Sequence, residues 1–188
     1  MRKLQLLIHT SLDAFVAGPN GEMNWIKVDE ELFDFVGNIT DQADTALYGR
    51  STYQMMESYW PTAGDKPNAS KHDVQHSFWY RNVAKVIISN SMKGSHIPKV
   101  QIISHDIPGQ IQHLKQQPGK NILILGSPSA SHSLMPYNLI DEYWIFVNPI
   151  LIGGGIPLFK NINNKINLRL VKTNVFSSGV IGIHYEKQ

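Results

Sequence analysis

Apolar positions along this chain change their spacing from segment to segment, and each change marks an element. Leu4–Thr10 is a nearly continuous apolar run, the pattern of a buried strand. Ser11–Asn24 carries Gly18, Pro19, Asn20 and Gly21 and reads as a loop. Asp29 is placed to cap a helix running to about Ile39, with Leu32, Phe33, Phe35 and Val36 as its apolar face. Thr45–Tyr48 is a second strand and Ser51–Tyr59 a second helix, followed by an exposed loop over Pro61–Ser70 and a short helix over His72–Tyr80. The alternation then becomes regular, with strands at Lys85–Ser89 and Val100–Ser104, a helix at Ile107–Gln116, a strand at Asn121–Leu125, a helix at Ala130–Met135 and a long strand at Glu142–Leu151. Leu168–Phe176 and Val180–Tyr185 flank Ser177-Ser178-Gly179, a hairpin signal. Strands alternating with helices predict an α/β fold, a mostly parallel sheet covered on both faces. The terminal hairpin adds antiparallel edge strands. No repeat, low-complexity tract or linker interrupts the pattern, so residues 1–188 are expected to form one domain.

Composition narrows the class. The chain has 188 residues, 42% hydrophobic and 17% charged, ordinary values for a globular protein. No apolar run approaches the length of a membrane span, and the N-terminus reads as a first strand rather than a secretion signal. There is no cysteine, which excludes a disulfide framework, a thiolate metal site and a cysteine nucleophile. That fits a cytoplasmic enzyme. A net charge of +2 with no basic run gives no footprint for nucleic acid.

The candidate chemistry lies where strands end. Thr45–Tyr53 joins an apolar run to Gly49-Arg50-Ser51-Thr52 and then to a helical pattern. Such a turn points backbone N–H groups and the positive end of a helix at one place, which suits a phosphate. Arg50 adds a permanently charged donor fork. A plain βα turn would leave the same trace. Three further segments fall on the same rim: Ser11 to Trp25, Ser89 to Ser91, and Gly126 to Ser129. Ligands of parallel sheets sit beyond the carboxyl ends of the strands. His72 and His76 share a helix face at metal-pair spacing but lack a third ligand, so no metal site is expected. No Gly-x-Ser-x-Gly or Walker-type loop occurs, which leaves hydrolase and nucleotidase readings without support.

Together these residues resemble the dihydrofolate reductase-like superfamily, and more closely its small bacterial members related to the reductase domain of riboflavin biosynthesis. Ser11-Leu12-Asp13-Ala14-Phe15-Val16-Ala17-Gly18 is similar to the family's first loop, although the family usually has Gly where Ala14 stands. Met23-Asn24-Trp25 resembles the mobile lid. Leu47–Tyr53 resembles the cofactor-binding turn, and Lys85–Ser89 the strand ending near the adenosine phosphate. Pro149 through Phe159, with Gly153-Gly154-Gly155, is a distinctive match, and Gly179 and Tyr185 fit the end of the pattern. The resemblance implies a three-layer αβα sandwich, NADPH as cofactor and a homodimer.

Two departures qualify the substrate. The family's Gly-Gly pair against the cofactor diphosphate reads Gly126-Ser127 here, within Leu125-Gly126-Ser127-Pro128-Ser129. Ser127 offers a backbone N–H and a hydroxyl at a helix start, and Pro128 suits a first helical position. The position of the pterin-contacting threonine of folate reductases reads Val147, which argues against folate itself.

Roles follow from the resemblance and from residue chemistry. Ala17, Gly49, Arg50, Ser51, Thr52, Ser89, Asn90, Ser91, Gly126, Ser127 and Ser129 are the cofactor-binding candidates. Asp13, Met23, Trp25, Phe35 and Val147 are the substrate-pocket candidates, with Asp13 also suited to fixing its loop through backbone hydrogen bonds. Glu31 best resembles the family's acidic position. Burial beside Phe35 and Trp25 would raise its pKa and let it hold the proton that accompanies hydride transfer, whereas Asp29, Glu30 and Glu31 together also make an ordinary dipole-complementing helix start. Gly153–Gly155 belongs to the active-site rim, a dimer contact or a plain strand connection. Trp60 and Trp79 are candidates for a dimer surface, a substrate wall or core. No acidic residue stands at Ser89–Ser91 to pair with a free ribose hydroxyl, so NADPH is expected over NADH. Three functions compete: an NADPH-dependent reductase of a small heterocyclic or C=N/C=O substrate, a 5-amino-6-(5-phosphoribosylamino)uracil reductase-like activity, and a nucleotide-binding module without turnover.

Overall fold

The buried runs become the middle of one eight-stranded sheet. A computed structural model describes residues 1–188. Its strands in chain order are β1 (Leu4–Ser11), β2 (Phe15–Ala17), β3 (Ala43–Gly49), β4 (Ala84–Ile88), β5 (Val100–Ile103), β6 (Asn121–Leu125), β7 (Glu142–Asn148), β8 (Ile156–Pro157), β9 (Leu168–Val175) and β10 (Ile181–Lys187). The helices are α1 (Glu30–Thr40), α2 (Arg50–Ala63), α3 (Lys71–Asn82), α4 (Ile107–Gln116) and α5 (Pro128–Leu134). The large sheet runs β5-β4-β3-β6-β1-β7-β10-β9. Neighbours from β5 to β7 are parallel, and β10 is antiparallel to both β7 and β9.

Alternation along each strand sorts the core into two layers. Leu4, Leu6, Ile8, Leu47, Ile122 and Ile124 pack with Ile111 and Leu114 of α4 and with Ala130 and Leu134 of α5. Leu7, Ala46, Tyr48, Leu123 and Phe146 face the other way, onto Leu32 and Ile39 of α1, Tyr53 of α2 and Tyr80 of α3. The result is the expected three-layer αβα sandwich.

Local chemistry sets the element ends. The Asp29 carboxylate accepts from the Leu32 N–H at 2.7 Å and starts α1 as the sequence predicts. Ser70 and Asp73 form a reciprocal capping box that starts α3. At the terminal hairpin Gly179 adopts φ 84°, and Phe176 and Val180 are joined by a backbone bond of 2.9 Å.

Three boundaries differ from the sequence reading. Helix α2 passes through Pro61 to Ala63, because α3 satisfies its last carbonyls: the Ser77 hydroxyl donates to Trp60 O and Arg81 Nε donates to Pro61 O at 2.6 Å. Strand β7 stops at Asn148 rather than Leu151. Pro149 has no N–H for the ladder, and Ile150 N–H folds back onto Asn148 O at 2.8 Å. The first loop is not wholly irregular, since β2 pairs antiparallel with β8. That pairing needs Gly155. At its φ of 145° a Cβ would run into the Ala17 carbonyl and Gly18.

Candidate active site at the carboxyl rim

The carboxyl ends of β1 and β6 and the start of α2 open onto a cavity of about 370 Å³. Leu7, Ile8 and His9 form its floor, Val16 and Ala17 of β2 with Ile156 of β8 one wall, and Ser51, Thr52, Met55 and Met56 of α2 another. Leu125, Gly126, Ser127 and Pro128 close the side of the β6–α5 turn, and Gly21, Met23 and Ile26 the side of the first loop. No lysine, arginine, aspartate or glutamate lines it. A broader depression of about 800 Å³ lies between α1 and α3 toward the amino end of β3. It contains none of the rim residues, and ligands of such sheets sit at the carboxyl ends.

The turn from β3 into α2 leaves its first donors without a side-chain acceptor. Gly49 caps α2 in an extended conformation (φ −84°, ψ 167°), and no side chain caps the first turn. The N–H groups of Ser51 and Thr52 therefore keep the free donors that any helix start leaves, with the positive end of the macrodipole behind them. Arg50 Nη1 donates to Ser91 Oγ at 3.2 Å, and Ser91 and Ser89 share a hydroxyl contact of 3.1 Å. The structure thus brings Arg50, Ser89 and Ser91 together on the surface beside the cavity. Asn90 stands exposed between the two serines.

The second turn explains the Gly126-Ser127 departure. Both residues are left-handed, at φ 59° and 55°. A glycine takes that conformation freely and a serine at a cost of about 1–2 kcal/mol. The buried Ser127 hydroxyl accepts from Gly49 N–H at 2.6 Å, which offsets the cost and ties the two turns together. The hydroxyl is therefore spent inside the protein and does not cap α5. Ser129 is exposed, with its hydroxyl close against Gly49, where an added Cβ would collide with it.

The first loop is fastened by Asp13, whose carboxylate accepts from Gly153 N–H at 2.8 Å and Ile152 N–H at 3.2 Å. Its loop-fixing role is the one the structure gives. The glycine run at Gly153–Gly155 is thereby tied to the first loop, just before the cavity-lining Ile156. Ala14 takes φ 64°, the left-handed region, which accounts for the family's glycine there.

Other expected site residues fall elsewhere. Glu31 is exposed, and its carboxylate makes a contact of 3.5 Å with the Ser177 N–H on the terminal hairpin. The expected burial of Glu31 beside Phe35 and Trp25 does not occur. Helix α1 turns Leu32 inward at its start and leaves the preceding residue toward water. Phe35 packs edge-on against Trp144, Phe146 and Phe176 in the core. Trp25 donates its indole N–H to Glu22 O at 3.1 Å and lies off the cavity, whereas Met23 lines it. Val147 sits in the ladder between Thr10 and Ile181 and packs toward α4 and α5. Trp60 and Trp79 are half-buried in the layer under α1–α3 and do not form an exposed apolar face.

His9 was not among the residues read from the sequence, because a lone histidine in an apolar run carries no motif. It lies directly across the ladder from Phe146, stacked on that ring at 5.1 Å. Its Nδ1 is 3.3 Å from Asn148 Nδ2. Asn148 is fully buried and its amide is oriented by three other bonds: Oδ1 accepts from Lys27 N–H at 2.9 Å, and Nδ2 donates to Thr10 O and Phe146 O, each at 3.2 Å. Burial pushes the imidazole pKa down to about 4. Ring stacking, a fixed amide and a depressed pKa make His9 a neutral group on the cavity floor.

Comparison with known proteins places these features. The family model for the RibD C-terminal domain matches residues 2–182. The chain is similar to the Bacillus subtilis protein YyaP, itself uncharacterized, at 32% identity over 98% of this chain and 94% of that one. Among solved structures it resembles a putative riboflavin biosynthesis protein from Shewanella sp. PV-4 (TM-score 0.72, 23% identity, 98% of each chain). It also resembles a pyrimidine reductase-like protein from Corynebacterium diphtheriae (TM-score 0.69, 15% identity, all of this chain and 92% of that one).

Proposed function

Because the chain belongs to the RibD C-terminal domain family, we propose that it is an NAD(P)H-dependent reductase of a small pyrimidine-like heterocycle. The observation that carries this reading is the union of two unlike halves in one site. An uncapped helix start with Arg50, Ser89 and Ser91 beside it adjoins a chamber free of charged side chains. The first half fits the phosphates of a dinucleotide and the second a planar, uncharged ring.

Bound reduced nicotinamide would supply the hydride for a C=N or C=O bond. The N–H groups of Ser51 and Thr52 would hold the diphosphate, next to the open approach at Gly126, where an added side chain would meet nothing within 4 Å. Arg50, Ser89 and Ser91 would hold a phosphate on the adenosine ribose, which favours NADPH. Met23, Ile26, Val16, Ala17 and Ile156 would supply the apolar walls that shield the ring from water. With Glu31 outside the cavity, the accompanying proton comes from solvent or from another group.

A phosphoribosyl arm such as that of 5-amino-6-(5-phosphoribosylamino)uracil finds no cation among the cavity walls and would have to leave through the mouth. The homodimer is retained in this proposal, on a different surface from Trp60 and Trp79. Edge strand β9 exposes Leu170, Val171 and Val175 and presents an unpaired ladder. Light scattering reads the assembly, and a monomer mass overturns that part.

The test of the activity is titration of NADPH and NADH against the protein, followed by loss of reduced-nicotinamide absorbance across aminopyrimidines, pterins and imines. Micromolar NADPH binding with turnover of an aminopyrimidine supports the reading. Failure to bind either cofactor refutes it.

A further inference from the structure

The chamber has one side chain whose chemistry the reductase reading leaves unused. Among the cavity-lining groups only His9 is ionisable. Its two nitrogens are in different situations. Nδ1 faces Asn148 Nδ2, which is an N–H donor because the amide is oriented by the Lys27 N–H on one side and by the Thr10 and Phe146 carbonyls on the other. An amide nitrogen donates and does not accept, so an Nδ1–H would face another N–H, and the contact favours an Nδ1 without a proton. The neutral ring then bears its hydrogen on Nε2. Nε2 makes no hydrogen bond within the protein, nor is it among the sealed, unpartnered polar atoms. The free N–H is therefore open to the cavity that the residue lines.

Stacking on the fully buried Phe146 fixes the plane of the ring from behind. Leu7 and Ile8 hold the same stretch of β1 in the sheet through the β6 and β7 ladders. The donor is thus rigid, preorganised and backed by an oriented partner, the arrangement by which a second residue sets the role of an imidazole.

We propose that His9, held as the neutral Nε2–H tautomer by Asn148, is the hydrogen-bond donor that recognises the substrate, and that the substrate is an uncharged planar heterocycle presenting a carbonyl or ring-nitrogen acceptor. This rests on the reductase reading for the identity of the reaction but not for the existence of the site. In the reaction, hydride forms the new C–H bond, the π pair of the C=N or C=O moves to the heteroatom, and that atom takes a proton from solvent. The substrate is reduced by two electrons and the nicotinamide oxidised. His9 keeps its own proton throughout and stabilises the acceptor atom as negative charge develops. A neutral imidazole does this as a donor, and its depressed pKa keeps it neutral above about pH 4.

The test uses 5,6-diaminouracil, a pyrimidine with ring and carbonyl acceptors and no phosphate arm, in three measurements on the full-length protein. Nitrogen-15 spectra of the histidine-labelled protein should show His9 as the Nε2–H tautomer, unchanged between pH 8 and pH 5.5, with its Nε2 resonance shifting when the probe is added. Calorimetry should show His9→Phe, which keeps the stacked ring and loses the donor, weakening the probe roughly tenfold, while NADPH affinity stays within twofold. His9→Gln should recover most of the loss by restoring a donor. An Nδ1–H tautomer, an ionisation near pH 6.5, or equal probe affinity for the wild type and His9→Phe would overturn the proposal, as would no binding of the probe to the wild type. If probe binding depends on His9 but neither NADPH nor NADH binds, the site stands and the reductase reading falls.

Discussion

At the amino-terminal rim of the sheet the buried charges are all answered. Glu142 accepts from Lys3 Nζ, from Gln5 Nε2 at 2.6 Å and contacts His184 Nε2 at 3.1 Å. Arg2 reaches Asp44, Thr45 Oγ1 and Lys120 O, and Lys115 is paired with Asp141 at 2.6 Å. At the carboxyl rim the cavity has no charged lining, and its donors, the first N–H groups of α2 and Nε2 of His9, lack protein partners. A buried charge without a partner costs several kcal/mol, so the charges at the amino-terminal rim are held by their own network, which also lines a depression of about 430 Å³. The open rim keeps uncommitted neutral donors next to apolar walls, which is the state of a binding site. What separates the two rims is ionic pairing, present at the first, where only the neutral Gln5 Oε1 and Trp144 Nε1 go unpartnered, and absent from the second.

The largest effect that would break this contrast is at Glu142. Glu142→Ala strands Gln5, His184 and Lys3, and is expected to cost about 3 kcal/mol, the low end for a broken buried pair because Lys3 can turn to water. Burial pushes this carboxyl up, but the bonds from Lys3 and Gln5 outweigh it and hold the pKa below its ordinary 4.5. Its contribution is present above pH 4.5 and is lost as pH falls through the lower folded value. Denaturant melts at pH 7 and at acid pH read both effects. A change under 1 kcal/mol at pH 7 would show the network to be incidental.

Next comes the acid sensitivity of the open rim. Burial lowers His9 to about 4 from an ordinary 6.5, so the unfolded chain binds more protons between those values. Stability is full above pH 6.5 and falls as pH drops toward 4, by up to about 3 kcal/mol from this group. His76, lowered to about 3 by burial and the neighbouring His72, adds a slope of the same sign. His9→Phe should flatten the profile between pH 6.5 and 4 without abolishing it. An unchanged slope in the variant would mean that His9 titrates normally.

Ser127→Ala should cost about 2 kcal/mol, because the Gly49 N–H loses its buried acceptor while the left-handed backbone keeps its strain. The melt of this variant separates a structural tie from a loop that merely awaits ligand. Smaller still is Arg50→Ala, expected to weaken NADPH about tenfold and NADH by less than twofold, since an exposed guanidinium gives the lower end of a charge-assisted contact. Equal losses would assign Arg50 to the shared diphosphate. Ala14→Gly should stabilise by under about 1 kcal/mol, the relief at φ 64° being partly cancelled by glycine's unfolded-state entropy. A destabilised variant would contradict the strain argument.

Strand and helix identities were legible because they depend on local periodicity. The run at Leu4–Thr10, the cap at Asp29 and the hairpin at Ser177-Ser178-Gly179 all appear within a residue or two of where they were read. Helix α2 ran past its predicted end because its acceptors are satisfied from α3, seventeen residues and more away, which no local window contains.

The site divides the same way. The Gly49–Thr52 turn and the Arg50, Ser89 and Ser91 cluster could be named from strand ends, since parallel topology sends those ends to one rim. Glu31 could not be placed, because one helical step of 100° decides whether a side chain meets the cleft or water. The sequence by itself determined the alternating elements, the parallel order they impose and the rim where the candidate residues gather, all consequences of periodicity and chain connectivity. Only the tertiary structure decided that Asn148 faces His9, that Ser127 is spent on Gly49, and that Asp13 fastens the Gly153 segment. Each of those depends on a partner at least 78 residues distant in the chain, brought within hydrogen-bond range by the packing of the sheet.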